Sequence, residues 1–182
     1  TNRTSYGYSP TTGRQIAVTN ALGQAMRNEQ DVQGRVTKTW GDTAYPISYT
    51  FDDYGRMATM TTYRGGTGWD SETWPTGTTG DGDVTTWLYD EATGLLTNKV
   101  YDDGKGTVYS YTADGKLSTR TWARGVVTTY SYDPCCGAMT NINYSGDTPD
   151  VSFTFNRMGQ QATVTDATGT RTFSYTDALQ LD

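Results

Sequence analysis

The chain has 182 residues and a net charge of −6, and Leu, Ile, Val and Phe together number only 24, few enough large apolar residues for disorder to be weighed. Against that, 14 Tyr, 5 Trp and 36 Thr supply the residue types that suit a pleated, half-buried surface, so a β-rich chain packed by aromatics is expected. The acidic balance excludes nucleic acid as a partner class, no apolar run is long enough to span a membrane, and the absence of histidine removes the commonest general base and metal ligand.

Taken in order, the chain repeats. An aromatic just before each turn marks the period: Tyr8, then Gln30 as a polar stand-in, Phe51, Tyr89, Tyr111, Tyr132, Phe155 and Tyr175. Successive spacings are 22, 21, 38, 22, 21, 23 and 20 residues. A second aromatic two residues earlier (Tyr6, Tyr49, Trp87, Tyr109, Tyr130, Phe153, Phe173) puts both rings on one face of a strand. A glycine follows seven of the eight anchors by four or five residues (Gly13, Gly34, Gly55, Gly94, Gly115, Gly137, Gly159). Next often comes a basic or amide residue: Arg14, Arg35, Arg56, Lys116, Gln160. A Thr-rich return arm then ends near Trp40, Tyr63, Tyr101, Trp122 or Tyr144, and a second turn reverses the chain. In 108–117 the Asp114-Gly115 pair between alternating arms reads as a tight hairpin turn.

The grammar predicts an all-β, repetitive antiparallel hairpin strip of about eight units of 20–23 residues, one region over 1–182. No segment carries a sustained 3.6-residue apolar stripe; the best helical candidate, 21–29, also fits as a strand arm. The one long interval is an insertion at about 64–83, with Trp69, Trp74 and Pro75 embedded. Its plainer reading is a surface loop whose tryptophans fold back onto the sheet. Its sharper reading is an aromatic platform that makes Trp69 and Trp74 contacts for a surface glycan or a protein partner.

Other candidates are weighed in the same way. Cys135-Cys136 reads either as two uninvolved thiols in a turn or as a redox-sensitive turn lock, because adjacent Cα atoms are closer than an ordinary disulfide allows. The carboxylates Asp52, Asp53, Asp90, Asp102, Asp103, Asp114, Asp133, Asp166 and Asp177 fall at turn positions, where Asp accepts local amides, rather than in the facing pairs a glycosidase needs. Asp81-Gly82-Asp83 lacks the spacing of a calcium loop. No catalytic residue, metal ligand or cofactor is assigned, and an enzyme is the least favoured class.

The motif Tyr-x-Tyr-Asp-x-x-x-Gly resembles the YD repeat of the RHS family. It reads Tyr130-Ser131-Tyr132-Asp133-Pro134-Cys135-Cys136-Gly137 here, with Leu88-Tyr89-Asp90-Glu91-Ala92-Thr93-Gly94 and degenerate copies at 30–36 and 51–57. The resemblance implies a strip of hairpins that, in shell parts of toxin complexes, RHS effectors and teneurins, spirals into a hollow shell able to enclose a toxic domain. It further implies a bacterial, toxin-associated protein that is secreted or at the cell surface. The self-cleaving core-closing segment and toxin of large members have no counterpart in 1–182, so an incomplete array is expected. Its open strand edges would then pair with the remainder of a longer polypeptide or with another copy.

Overall fold

A computed structural model describes residues 3–43, 45–64, 67–75 and 82–182. Among the described residues fifteen strands follow one another in chain order as antiparallel β-structure, and no helix occurs. None of them therefore forms a helix long and apolar enough to cross a membrane. Cα packing divides the chain into two compact units, residues 1–88 with 100–104, and residues 89–99 with 105–182.

The first unit holds β1 (Ser5–Tyr8), β2 (Gln15–Thr19), β3 (Ala25–Gln30), β4 (Val36–Gly41), β5 (Ile47–Phe51), β6 (Met57–Thr62) and nearly all of β7 (Asp83–Tyr89). The helical candidate at 21–29 is a turn followed by β3. The second unit holds nearly all of β8 (Leu96–Val100), with β9 (Gly106–Tyr111), β10 (Leu117–Thr121), β11 (Val127–Tyr132), β12 (Met139–Tyr144), β13 (Val151–Phe155), β14 (Gln161–Asp166) and β15 (Gly169–Thr172). Seven of the expected anchors are the last residues of β1, β3, β5, β7, β9, β11 and β13, and Tyr175 makes an isolated bridge to Leu181.

The turn after each anchor differs in kind from a two-residue Asp-Gly reversal. At 112–116 the Thr112 N–H donates to Lys116 O at 2.8 Å and the Gly115 N–H donates to Thr112 O at 2.9 Å. Gly115 alone in that loop has positive φ, +81°. This is a three-residue loop with a left-handed glycine closing it, not the primed turn, which needs two positive φ angles. The return strand then carries one extra residue: Tyr111 faces Leu117 but Ser110 faces Thr119, leaving Ser118 without a partner. Ile16, Thr37, Ala58, Thr140 and Ala162 are the equivalent bulged residues elsewhere. A strict period-two reading cannot see a bulge, because it inverts the faces for everything after it.

Position 179 shows what the turn asks of its residue. Thr176 and Gln180 close the same loop, but Leu179 occupies the left-handed site at φ 63°. A side chain there costs about 1–2 kcal/mol. Leu179→Gly is expected to stabilise the C-terminal turn by about 1 kcal/mol, and Gly115→Val to destabilise its hairpin by about 2 kcal/mol. Urea melts followed by amide exchange at each turn check both signs; an unchanged Gly115→Val melt would refute the turn assignment.

The two faces of β9, β11 and β13 differ. On β9 and β11, Thr107, Tyr109 and Tyr111, and Thr128, Tyr130 and Tyr132, share one face and are buried or half-buried. The opposite face is exposed and hydroxylated, and its hydroxyls pair across strands: Thr50 with Thr59 at 2.6 Å, Ser110 with Thr119 at 2.6 Å, Thr154 with Thr163 at 2.7 Å. The high threonine content thus serves pairing as well as β propensity. Among the described residues the buried apolar side chains are Ala25, Trp40 and Pro46, and all lie in the first unit.

Candidate functional site

Many of the turns are built around a polar side chain that gathers amides. Asp31 Oδ1 accepts the Gln33 and Arg35 N–H groups, and its Oδ2 pairs with Arg35 Nε at 2.6 Å. Asp52 does the same with Tyr54 and Arg56, the ion pair lying at 2.7 Å. Asn20 and Asn156 form the uncharged version, each accepting two amides. Asp90, Asp133 and Asp166 likewise hold their own loops. Turn-making accounts for these carboxylates. Asp114 pairs with Lys116 at 2.5 Å, and Asp102 accepts the Val84 N–H at 3.2 Å. Asp81 lies outside the described residues, so the 81–83 cluster has no structural reading. Among the described residues no group of three or more metal-ligating side chains comes together.

Burial pushes the Asp31 and Asp52 carboxyls up, but the amide, the guanidinium hydrogen bond and the charge of Arg35 or Arg56 outweigh it and hold both below the usual range. A depressed folded-state pKa contributes stability that is present above the unfolded value and is lost as pH falls through the folded one. The urea midpoint is therefore expected to fall below pH about 4, and Arg35→Gln with Arg56→Gln to flatten that acid limb. Urea titrations from pH about 6 to about 3 test it; equal limbs in both proteins would exclude these pairs as the source.

The turns also hold one another. Arg14, from the turn after β1, donates through Nη1 to Asp31 O at 2.9 Å and through Nη2 to Val32 O at 3.2 Å, on the turn after β3. Arg35 reaches the turn after β5, with its guanidinium 4.4 Å from the Phe51 ring centroid. Lys116 Nζ sits 5.5 Å from the Tyr132 centroid, and Gln160 Nε2 donates to Leu179 O at 3.2 Å. These side chains lie so close over the following turns that a Cβ on Gly34 would stand 3.0 Å from Arg14 Cζ, and one on Gly137 2.6 Å from Lys116 Nζ.

A second arm runs the other way. The hydroxyls of Tyr111, Tyr132 and Tyr175 donate to the carbonyls of Leu96, Leu117 and Gln161 at 2.8, 2.8 and 2.9 Å. Gln30, the polar stand-in, donates to Gln15 O at 3.0 Å and so performs the tyrosine's task with an amide. Burial first, then the neighbouring phenol of Tyr109 or Tyr130, pushes the Tyr111 and Tyr132 hydroxyls up, in keeping with donors that retain their protons. The sequence displayed the recurring basic or amide residue and the anchor. It gave no sign that each belongs to the neighbouring hairpin.

The insertion returns to the sheet. Trp69 and Trp74 are half-buried and lie 5.2 Å apart, with Trp74 set edge-on to Trp40 and to Tyr63 at 5.6 Å each. Trp40 is buried and its indole N–H donates to Ser71 O at 3.1 Å. Trp69 also borders an open cleft of about 370 Å³ with Asp42, Thr43, Tyr45 and Pro46; Tyr45 is the exposed wall. Tyr45 was not singled out in the sequence, where it stands outside the repeat's aromatic positions.

Cys135 and Cys136 are exposed free thiols in the turn after β11. The Asp133 Oδ1 accepts both of their amides, at 2.8 and 2.9 Å. Those two amides and the Cys136 thiol hold the Asp133 carboxyl below its ordinary value.

The geometry defines a class: an antiparallel array of side-chain-linked hairpins. No family model and no curated protein matches the chain. Solved structures of Tc toxin components are similar to it. The TcdB2–TccC3–Cdc42 crystal structure gives a TM-score of 0.42 at 16% identity, covering 98% of this chain and 13% of that one. TcdB2–TccC3 gives 0.42 at 14% identity over the same shares. The Photorhabdus luminescens Tc holotoxin pore gives 0.42 at 14% identity, over 98% of this chain and 12% of that one.

Proposed function

We propose that the chain is a non-enzymatic structural strip, a segment of a YD/RHS-type shell or surface protein that acts outside the cell and encloses cargo or presents partners. The observation that carries this reading is the two-way linkage between successive hairpins, typified by Arg14 on Asp31 and Tyr132 on Leu117. Residues at the recurrent positions hold the next hairpin or the previous one, which is what a load-sharing wall requires. Among the described residues β1 and β15 each pair with one strand, and a further stretch of the same polypeptide or another copy would add there by strand pairing.

Native particles isolated from the source, exposed to protease before and after acid opening, test the reading. A second polypeptide or domain that survives until the wall opens is the expected result. A particle with no protected partner, digested equally under both conditions, would reject enclosure.

A second reading is a surface-glycan contact, favoured by the cleft that Tyr45, Trp69 and Asp42 help to line. Aromatic faces beside a carboxylate suit a sugar ring and its hydroxyls. Tyr45 is 80% exposed, so Tyr45→Ala is expected to leave the melt unchanged and to remove binding on a glycan array. Retained binding would dismiss that cleft.

A further inference from the structure

We propose that the 133–137 turn is a two-thiol modification site, oxidised reversibly to a Cys135–Cys136 bridge by low-mass disulfides of neutral or cationic charge. Both sulfurs are exposed, and one carboxylate oxygen fixes both cysteine amides on the same loop. They border an open cleft of about 390 Å³ with Asp114, Lys116, Tyr132 and Asp133, which gives a small disulfide room to approach.

Charge selects the reagent. Lys116 is already paired with Asp114, which leaves Asp133 as the net local charge on a chain of −6. An anionic disulfide is repelled by both, and a cationic one is drawn in.

The exchange balances without a further oxidant. The thiolate of one cysteine attacks R–S–S–R, forming a mixed disulfide and expelling R–S⁻, which takes up a proton. The neighbouring thiolate attacks the first cysteine's own Sγ in the mixed disulfide, closes the Cys135–Cys136 bond and expels the second R–S⁻, which is protonated in turn. The pair gives up two electrons, and R–S–S–R becomes two R–SH.

Closure cannot leave the turn untouched. Adjacent Cα atoms lie about 3.8 Å apart, below the span of about 4.4–6.8 Å that a relaxed disulfide takes, so the loop must shift to close the ring. Movement at 135 and 136 draws their amides away from Asp133. A bridge under such strain is readily reduced, which makes the site reversible.

The test uses the whole 182-residue protein and cystamine as the probe. The wild type is expected to lose the mass of two hydrogens with no adduct, localised to the tryptic peptide 125–157, and to return fully with dithiothreitol. Cys135→Ser and Cys136→Ser should each stop at one cysteamine adduct. Amide exchange at 135 and 136 should accelerate about tenfold in the oxidised protein, the loss of one hydrogen bond, while the 112–116 turn is unchanged. Oxidised glutathione should react more slowly than cystamine at low salt, and the gap should close in about 1 M salt. Wild-type protein that keeps adducts on both sulfurs, or that links between chains instead, would overturn the site. Equal rates for the two reagents at low salt would overturn its charge selectivity.

Discussion

Gly41→Ala should cost the first unit about 3–5 kcal/mol, far more than a glycine-to-alanine change at an open turn. Gly41 ends β4 at φ +137°, opposite Met26 of β3. A Cβ there would stand 2.1 Å from Ala25 O and 3.0 Å from Met26 Cα, both backbone atoms. The carbonyl has nowhere to retreat. Ala25 O accepts the Asp42 N–H at 2.9 Å, and the Ala25 N–H donates to Asp42 Oδ2 at 2.8 Å, so any retreat breaks a closed pair of bonds. Gly115→Ala is the control, because its Cβ would meet nothing within 4 Å and only the backbone preference is lost. Urea melts of both variants separate the contributions; similar losses would show that the close approach at Gly41 does not constrain β3.

Trp40→Ala should cost about 3–5 kcal/mol, the usual range for emptying a buried tryptophan site. Trp40 is 3% exposed, its ring meets Trp74, and its N–H holds Ser71 of the insertion. Trp40→Phe keeps most of the apolar contact and forfeits the hydrogen bond, for about 1 kcal/mol. Near-ultraviolet circular dichroism should lose its exciton features in the alanine variant as Trp69 and Trp74 come free. A loss below about 1 kcal/mol with that spectrum intact would show that the insertion docks without Trp40.

The period was legible in the sequence because it is written in large aromatics. Tyr111 and Tyr132 mark strand ends since a ring before a glycine turn both packs and punctuates. The bulges at Ser118 and Thr140 were not legible, since a small polar residue carries no mark of lying outside a ladder. Gln30 looked like a defect in the aromatic series, yet its amide reaches the same kind of carbonyl as a phenol does. What is shared there is a donor at a given distance, and residue type is a poor guide to that. Arg14 and Lys116 were visible as a recurring basic position, but the groups they meet are 16–18 residues on, in the next turn. For Trp69 and Trp74 the sequence left two readings, and only the positions of Trp40 and Tyr63 place them against the sheet. The cysteine pair was legible as a pair; the single carboxylate holding both amides was not.

The paired arms have a consequence for how such a chain changes over generations. Arg14 and Gln160 meet main-chain oxygens of the next turn, and Tyr111 and Gln30 meet main-chain oxygens of the previous hairpin. A carbonyl is the same on every residue, so one module can sit beside almost any other without matched substitutions. Unequal recombination that adds or deletes a whole period would then leave two compatible neighbours at the new junction. Length is free to drift by modules, while a loss of part of one leaves a donor facing the wrong strand.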